Sequence, residues 1–397
     1  MNLKEIDLEY VLHTYARNYI NFKRGENATL FDEEGKDYID FTSGIGVVSV
    51  GHGNKRVSEA ICNQAKNIIH ISNLYLIEPQ AKLAKKLVEL SGYDMRLFFA
   101  NSGAEANEGA IKIARKYGEV DGEVKRYKII TLKHSFHGRT ITALKATGQE
   151  AMHTYFGPFP DGFVYADDID SIESLLDDHT VAVMIELIQG EGGVEPLDKA
   201  KVQKLAKSLK KKDILLIVDE VQTGIYRTGE LLASNLYEIE PDIITLAKGL
   251  GGGIPIGAIM TRLKDIFKPG DHGSTFGGNY LSCSAANTVL DILEDEKDRG
   301  VLDERMVYFE DRINEMAKKY SNIFQKSVGL GFMRGLRAKS GEILSKIIEE
   351  SFKERVLVLK AGRNTIRFLP PLTISKEEID EGIKRFEKAI LKVSDQI

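Results

Sequence analysis

Three short motifs in the middle of the chain carry residues whose types and spacing suit one kind of chemistry. Each follows a short apolar run, and the three are residues 101–106 (NSGAEA), 219–224 (DEVQTG) and 248–257 (KGLGGGIPIG). In this order they bring a capped helix start, a carboxylate and a lysine. If the apolar runs are parallel strands, these residues lie together beyond the carboxyl ends of one sheet, where such sheets bind ligands.

The first motif has the features of a phosphate cradle. Ser102 can cap a helix, with Glu105 three residues later, which is the pattern of a capping box. Gly103 allows a tight turn, and the helix start then offers free N–H groups and a partial positive charge that suit a phosphate. A capped helix without a ligand explains the same residues, and this motif alone favours that simpler interpretation.

The other two motifs supply an acid and an amine. A carboxylate such as Asp219 is costly in a buried cleft unless a cation faces it, and a protonated pyridine nitrogen is such a cation. Lys248 follows the apolar run 243–247 and has glycines beside it. Partial burial would lower its pKa and favour the nucleophilic neutral amine. A helix cap or salt bridge for Asp219, and a surface position for Lys248, are the alternatives.

Together the three motifs predict a site for pyridoxal 5′-phosphate (PLP). Lys248 would bind the cofactor aldehyde as a Schiff base, Asp219 would keep the ring nitrogen protonated, and the helix start at Ser102 would hold the phosphate. The glycine run after Lys248 also resembles a nucleotide-binding loop. It has neither GxGxxG spacing nor the GxxxxGK[ST] order, which argues against that alternative.

The elements around these motifs predict an α/β fold with a mostly parallel central sheet covered by helices. Short apolar runs alternate with helical segments, as expected for strands buried on both faces. The predicted strands are 97–100, 181–187, 214–218 and 243–247, and the helices between them include 79–90, 104–117 and 198–211. Residues 31–41 (FDEEGKDYIDF) predict two strands about a turn at Glu34-Gly35.

The pattern changes near residue 290, which predicts a smaller α+β domain. Long charged helical stretches are expected at 299–320, 341–354 and 376–394, with short strands at 355–359 and 365–368. We therefore expect an N-terminal segment, 1–48, that packs with the small domain, a large PLP-binding domain, 49–290, and the C-terminal domain, 291–397.

Composition excludes several classes of protein. The 397 residues carry 54 basic and 59 acidic side chains, a net charge of −5, which is unlike the basic surface of a nucleic-acid binder. Cys62 and Cys283 cannot form a disulfide framework, and no Cys/His cluster has zinc-site spacing. Residues 1–20 are too charged for a signal-peptide core, and no apolar run could span a bilayer. We expect a soluble, cytoplasmic protein without metal or membrane partners.

At these motifs the sequence resembles the class III aminotransferases, the group that acts on ornithine, acetylornithine and 4-aminobutyrate. The stretch Ile217–Gly257 (IVDEVQTGIYRTGELLASNLYEIEPDIITLAKGLGGGIPIG) is similar to the cofactor signature of that family almost without gaps. The resemblance extends over essentially the whole chain. It implies the fold-type-I PLP architecture and two half-reactions between an amino donor and an oxo acid.

The resemblance also assigns cofactor contacts to individual residues. Lys248 matches the Schiff-base lysine and proton shuttle, and Asp219 matches the partner of the ring nitrogen. Gln222 resembles the residue near the ring's 3-oxygen. The phosphate loop of the family corresponds to Ser102, Gly103 and Ala104. The aromatic stack on the cofactor corresponds to Phe136 and His137. The phosphate contact from a neighbouring subunit corresponds to Ser274 and Thr275. The last pair implies a homodimer with shared active sites.

Substrate contacts follow in the same way. Arg139 and Arg367 match the arginines that hold substrate carboxylates. Arginine suits this task because it binds carboxylates bidentately. Without the resemblance, either residue alone is more often part of a surface ion pair. Glu191 resembles a glutamate that masks the second arginine when the substrate side chain bears an amine. Tyr15 matches a substrate-contacting tyrosine. At the position of Ile45, the ornithine-specific members resemble one another in carrying a tyrosine. Isoleucine there favours a donor whose α-amino group is masked or absent.

Within the family the chain looks most like members of arginine biosynthesis that move the terminal amino group of N2-acetylornithine to 2-oxoglutarate. Donors that stay open are 4-aminobutyrate, succinylornithine, succinyl-diaminopimelate and ornithine. A PLP-dependent aminomutase of the same fold is a second class, and it would form no glutamate. A phosphate- or nucleotide-binding protein without activity is a third, and it would form no covalent bond to Lys248.

Overall fold

The computed structural model describes residues 1–394, which form alternating helices and strands over most of that length. The helices are α1 (Leu3–Tyr10), α2 (Ser43–Gly46), α3 (Lys55–Ala65), α4 (Glu78–Ser91), α5 (Gly103–Tyr117), α6 (Ile141–Ala146), α7 (Ile172–Leu175), α8 (Lys199–Lys211), α9 (Ala233–Leu236), α10 (Tyr280–Asp298), α11 (Val301–Lys319), α12 (Gly341–Lys353) and α13 (Lys376–Ser394). Short 3₁₀ turns lie at Glu150–His153 and Lys248–Leu250.

The strands are short, and many are only two to five residues long. They are β1 (Phe22–Glu26), β2 (Thr29–Asp32), β3 (Asp37–Asp40), β4 (Arg96–Ala100), β5 (Glu119–Val120), β6 (Glu123–Val124), β7 (Lys128–Leu132), β8 (Phe163–Ala166), β9 (Thr180–Ile185), β10 (Ile188–Gln189), β11 (Glu195–Pro196), β12 (Leu215–Asp219), β13 (Ile243–Leu246), β14 (Gly257–Thr261), β15 (Phe324–Leu330), β16 (Met333–Ala338), β17 (Val356–Leu357), β18 (Leu359–Ala361) and β19 (Thr365–Phe368).

The largest sheet confirms the α/β prediction. Its seven strands run in the order β4-β14-β13-β12-β9-β7-β8. The strands from β13 to β8 are parallel, whereas β14 is antiparallel to both of its neighbours. The predicted apolar runs correspond to β4, β9, β12 and β13. Strand β14 (Gly257–Thr261) was not predicted, because the short apolar run that forms it directly follows the glycine-rich motif and was not recognised as a strand.

Alternation along the central strand explains why helices cover both faces of this sheet. Successive side chains of a strand point to opposite faces. On β12, Leu215 and Ile217 pack with apolar residues of α5, and Leu216 and Val218 pack with those of α8. All four side chains are buried. The helical spacing of Val202, Leu205 and Leu209 on α8 provides the matching apolar stripe.

Two smaller sheets involve the ends of the chain. One has the order β15-β16-β19-β18, and the other has the order β1-β2-β3-β17. The predicted turn at Glu34-Gly35 is confirmed, since Phe31 pairs with Asp37 across it. Strand β17 pairs with β3, so N-terminal and C-terminal segments share a sheet. The division into residues 1–48, 49–290 and 291–397 stays a prediction.

The turn α2 has an unusual backbone. Ser43, Gly44, Ile45 and Gly46 have φ values of 41°, 65°, 69° and 75°. A β-branched residue in the left-handed region is a true outlier, because its Cβ crowds the backbone. The Ser43 hydroxyl donates to the Leu369 carbonyl at 2.6 Å, which ties the turn to the segment after β19. The strain is therefore held in place by the C-terminal part of the chain.

Within residues 1–394, no helix is both long and apolar enough to cross a bilayer. No cluster of three or more histidine, cysteine or acidic side chains with the geometry of a metal site lies within the same stretch.

Candidate active site

A cavity of about 390 Å³ opens where the strands of the main sheet end. Its walls come from the segments that follow β4, β7, β9, β12 and β13, which the sequence motifs had predicted in part. The residues that line it include Ser102, Gly103, Ala104, Asn107, Phe136, His137, Arg139, Glu186, Glu191, Asp219, Gln222 and Lys248. The structure thus brings most of the predicted site residues to one place.

The start of α5 forms one end of the cavity. Ser102 is the cap, and its hydroxyl oxygen accepts the N–H of Glu105 at 3.2 Å. The N–H groups of Gly103 and Ala104 precede the first intrahelical bond and stay free for an anion. The predicted capping box is only half formed. The Glu105 carboxylate accepts the N–H of Asn101 at 2.6 Å instead of that of Ser102.

Gly103 is required by close packing between two parts of the site. A Cβ placed there would lie 2.7 Å from a methyl carbon of Val221, which is shorter than real contacts allow. The start of α5 therefore lies directly against the segment that follows β12. This contact fixes the free N–H groups relative to Asp219, two residues before Val221.

Asp219 ends β12 and is held by three donors. Its Oδ2 accepts from His137 Nδ1 at 2.8 Å and from Asn107 Nδ2 at 2.8 Å. Its Oδ1 accepts the N–H of Val221 at 3.0 Å. These N–H donors occupy both carboxylate oxygens and hold the side chain in one orientation. The Asp219 carboxylate is thus a fixed group on the cavity wall.

Lys248 begins the 3₁₀ turn after β13 and is the only lysine among the residues that line this cavity. Burial lowers the pKa of its amine to about 8, and the positive charge of Arg367 adds to the effect. The carboxylates of Glu191, Asp219 and Glu186 act in the opposite direction, but burial dominates. The amine is therefore far closer to its neutral, nucleophilic form at physiological pH than an ordinary lysine.

Arg367 lies on β19, with 2% of its surface exposed. Its Nη1 donates to Glu191 Oε1 at 2.7 Å and to Gln222 Oε1 at 3.2 Å. Glu191 lines the cavity and covers the arginine, which does not line it. The predicted ion pair between Glu191 and Arg367 is thus formed in the structure. Gln222 was expected near the cofactor's 3-oxygen, and here its carbonyl faces the arginine.

Arg139 is a second cation at the cavity. It is exposed, lies 5.5 Å from the centre of the Phe136 ring, and forms no ion pair with any other residue in 1–394. Phe136 is half-buried and offers a ring to the cavity. An exposed cation and a covered cation therefore flank the same space.

Besides Arg367, four predicted residues lie outside the cavity of a single chain. They are Tyr15, Ile45, Ser274 and Thr275. Tyr15 is 73% exposed and lies near the Arg17 guanidinium. Thr275 is exposed, and Ser274 accepts a hydrogen bond from Asn101 at 3.2 Å. Their predicted roles as substrate and cofactor contacts remain predictions.

Two residues of the site were not found from the sequence. Asn107 is on the second turn of α5, where the periodic pattern indicates only a helix interior. Glu186 follows β9 and was counted within the apolar run 181–187. Its carboxylate accepts N–H groups of Phe136 at 2.9 Å and Gly190 at 3.3 Å. Burial raises its pKa to about 7, with the nearby Asp219 charge adding to the shift. The signal available in the sequence for Glu186 was an acidic residue at the end of an apolar strand.

The residues present fit PLP. Free N–H groups at the start of α5 suit a phosphate, a hydrogen-bonded carboxylate suits a cationic ring nitrogen, and a desolvated amine suits an aldehyde. The His137 Nε2 atom is buried and has no hydrogen-bond partner within residues 1–394. A buried acceptor without a partner is expensive, and it is consistent with a site whose ligand completes its contacts.

Similar proteins identify the family of this chain. The family model described as Aminotransferase class-III matches residues 11–390. A protein of Wolinella succinogenes named acetylornithine aminotransferase is 64% identical over 386 residues, which are 97% of this chain and 98% of that protein. The crystal structure of the ornithine aminotransferase from Toxoplasma gondii has a TM-score of 0.93 at 34% identity, covering 99% of this chain and 95% of the other.

A third relative has a solved structure. The N-acetylornithine aminotransferase from Stenotrophomonas maltophilia has a TM-score of 0.83 at 31% identity, covering 99% of this chain and 100% of the other. The chain belongs to the class-III aminotransferase family. With the fold-type-I architecture and the cavity described above, it is a PLP-dependent transaminase.

The lowered pKa of Lys248 makes a prediction for the protein before cofactor is added. Because the amine is neutral above about pH 8, its rate of reaction with pyridoxal should rise about tenfold per pH unit below that value and level off above it. Borohydride trapping followed by peptide mapping measures the rate at each pH. The exposed Lys201 in the same digest is the internal control, because its hydrogen bond to Asp170 raises the pKa of its amine, so its labelling should still be rising above pH 9. A Lys248 profile that matches Lys201 would refute the assignment.

Proposed function

We propose that this transaminase moves the terminal amino group of N2-acetylornithine to 2-oxoglutarate, which gives N-acetylglutamate semialdehyde and glutamate, in arginine biosynthesis. The relative from Wolinella succinogenes, at 64% identity over nearly the whole of both chains, carries this proposal. Within the cavity, a covered arginine and an exposed arginine support it, because the two substrates differ in the number of carboxylates they present.

Lys248 and Asp219 have the chemical roles. PLP, when bound, supplies an aldehyde that receives the amino group and a ring that accepts electrons from the substrate carbon. Lys248 would provide the amine that holds the aldehyde and, once the donor's amino group has taken its place there, would carry a proton to and from the reacting carbon. Asp219 would hold a proton at the ring nitrogen. Ser102, Gly103 and Ala104 would bind the phosphate, and Phe136 would pack on the ring.

The Glu191–Arg367 pair explains how one cavity takes two unlike substrates. With Glu191 on Arg367, the free cation is Arg139, which suits a donor with a single carboxylate. When Glu191 moves away, Arg367 becomes available for the second carboxylate of 2-oxoglutarate. Removing one partner of a buried pair is costly, so an incoming carboxylate must replace Glu191 as it leaves.

The donor's α-nitrogen is the remaining element of specificity. Ile45 presents an aliphatic side chain that is 43% exposed in the single chain. It offers no acceptor to a charged α-amino group, which would lose hydration without compensation. An acylated α-nitrogen carries no charge and is tolerated next to an apolar side chain. Ile45 and Tyr15 thus belong, in this proposal, to the part of the pocket that meets the acyl end of the donor.

We further propose a homodimer with shared active sites. Several large apolar side chains between residues 68 and 76 are exposed, among them Leu76 at 95%. Neighbouring exposed apolar residues of this kind mark protein interfaces. Asn73 in this segment donates to the carbonyls of Ser274 at 3.2 Å and Gly277 at 2.9 Å. The exposed surface is thus continuous with the loop whose Ser274 and Thr275 would reach the partner's cofactor phosphate.

A cytoplasmic location is part of the same proposal. Cys62 and Cys283 are not joined to each other, and Cys283 is buried. Free thiols of this kind are stable in a reducing compartment. 2-Oxoglutarate and glutamate, the proposed acceptor and product, are metabolites that such a compartment supplies and consumes.

A comparison of donors tests the substrate. With 2-oxoglutarate as acceptor, kcat/KM for N2-acetylornithine should exceed that for ornithine by at least about a hundredfold, since an unmatched buried charge costs about 3 kcal/mol. 4-Aminobutyrate has no α-nitrogen and escapes this cost, so it is measured in the same panel as the competing donor. Succinyl-diaminopimelate belongs in the panel, because a Buchnera relative at 43% identity is named for both donors. One glutamate formed per donor consumed excludes an aminomutase. Preference for ornithine would refute the proposal.

The variant Glu191→Gln tests the switch. Glutamine keeps the size of the side chain but loses the charge, so it should cover Arg367 less well. We expect the KM for 2-oxoglutarate to fall and that for N2-acetylornithine to rise, each by about three- to tenfold. Half-reaction kinetics measure the two separately. Glu195→Gln, which removes an acid that pairs with Arg337 away from the cavity, is the matched control. Equal effects on both substrates would contradict a switch.

Mixing two inactive variants tests the shared site. Lys248→Ala removes the amine, and Thr275→Asp places a negative charge beside the phosphate. If each site takes Lys248 from one subunit and Thr275 from the other, dimers reassembled from both variants contain one intact site. About a quarter of the wild-type activity should then return, and none should return without subunit exchange. Sites contained within one subunit would show no recovery.

A further inference from the structure

Asn107 is out of place as a helix residue. It lies on α5 among a buried apolar stripe that includes Ala106, Ala110 and Ile111, and only 1% of it is exposed. Asparagine is a weak helix former, and a buried amide without full hydrogen bonding costs free energy. A polar residue that breaks the local pattern in this way is more often explained by a site than by the fold.

The hydrogen bonds of Asn107 fix the orientation of its amide. Its Nδ2 donates to Asp219 Oδ2 at 2.8 Å and to the carbonyl oxygen of His137 at 2.6 Å. Both partners can only accept, so the nitrogen must face them. The Oδ1 atom is buried and has no hydrogen-bond partner within residues 1–394. The Asn107 side chain therefore donates two hydrogen bonds, while its Oδ1 acceptor is left without a partner.

These donations lock the acid and its neighbour together. His137 Nδ1 donates to the same Oδ2 of Asp219, while the His137 backbone N–H donates to Thr147 Oγ1 at 2.9 Å. Asn107 thus joins the Asp219 side chain to the backbone of the residue that supplies its other donor. With Val221 N–H on Oδ1, the plane of the carboxylate has no freedom to turn.

We propose that Asn107 is a positioning residue, whose amide donor sets the angle at which Asp219 meets the ring nitrogen of the cofactor. This inference rests on the proposed role of Asp219. Asn107 itself acts through the acid and contributes nothing to the phosphate contacts at Ser102, Gly103 and Ala104. Its loss should therefore affect binding of the ring and leave binding of a simple phosphate unchanged.

Binding to the protein without cofactor tests this. The probe is 4′-deoxypyridoxine 5′-phosphate, which has the ring nitrogen and the phosphate but no aldehyde for Lys248; inorganic phosphate is the comparison. Asn107→Leu should weaken the ring probe about ten- to a hundredfold, the loss expected for one hydrogen bond to a charged group. Affinity for inorganic phosphate should stay within about twofold. Asn107→Asp, with an acid against Asp219, should weaken the ring probe further.

A double-mutant cycle separates positioning from a general structural role. In an Asp219→Ala background, Asn107→Leu should change the affinity for the ring probe by less than about threefold, because the group it positions is gone. The matched control is Asn287→Leu on α10, whose Nδ2 likewise donates twice, to the carbonyls of Pro79 at 2.9 Å and Cys283 at 2.8 Å. It should leave both affinities unchanged.

The outcomes are distinct. Equal losses from Asn107→Leu in both backgrounds, or an equal loss for inorganic phosphate, would overturn the inference. If Asp219→Ala weakens the ring probe and Asn107→Leu does not, only the inference about Asn107 fails. If Asp219→Ala has no effect, the proposed function of Asp219 fails first. Should Asn107→Leu not fold, Asn107→Ser keeps one donor in a smaller side chain and should show an intermediate loss; no loss would overturn the inference.

Discussion

The removal of one lysine amine from water is the constraint on which the site depends. Burial lowers the pKa of Lys248 from 10.5 to about 8, although three carboxylates act to raise it. Desolvation prevails over these charges because the end of β13 lies deep between other strands of the main sheet. The positive charge of Arg367 works in the same direction. A less buried lysine with the same neighbours would stay protonated, and the cavity would have no nucleophile.

The charges around this amine are arranged in two groups with different freedom. Asp219 has its acceptors occupied by donors from α5, from His137 and from its own loop, so its position is fixed. Glu191 contacts Arg367 with a single oxygen and is 30% exposed at its side chain. In the proposed mechanism, the rigid acid would serve the cofactor, which stays, and the less constrained acid would serve the substrates, which alternate. The difference in hydrogen bonding matches that proposed difference in role.

Much of the fold and the centre of the site followed from the sequence. Apolar runs that end just before Asp219 and Lys248 identify strand ends, because a strand buried on both faces is recognised by its short, continuous apolar composition. Asn107 and Glu186 were not predicted as site residues, because each is a single polar residue within an otherwise regular apolar pattern. The half-formed capping box at Ser102 depends on where Asn101 lies, and β14 depends on pairing with β4 and β13. Both features depend on tertiary contacts, which leave no local signal in the sequence.

The order of the strands along the chain has a consequence for assembly. Every strand of the main sheet lies between Arg96 and Thr261, so the cavity around Lys248 is encoded before the last third of the sequence. Arg367 comes much later, on β19 of a separate sheet. Since chains emerge from the ribosome N-terminus first, the residues that line the cavity, the last of which is Ile256, are synthesised well ahead of Arg367. The walls of the cavity are thus translated in full before the strand whose arginine Glu191 covers.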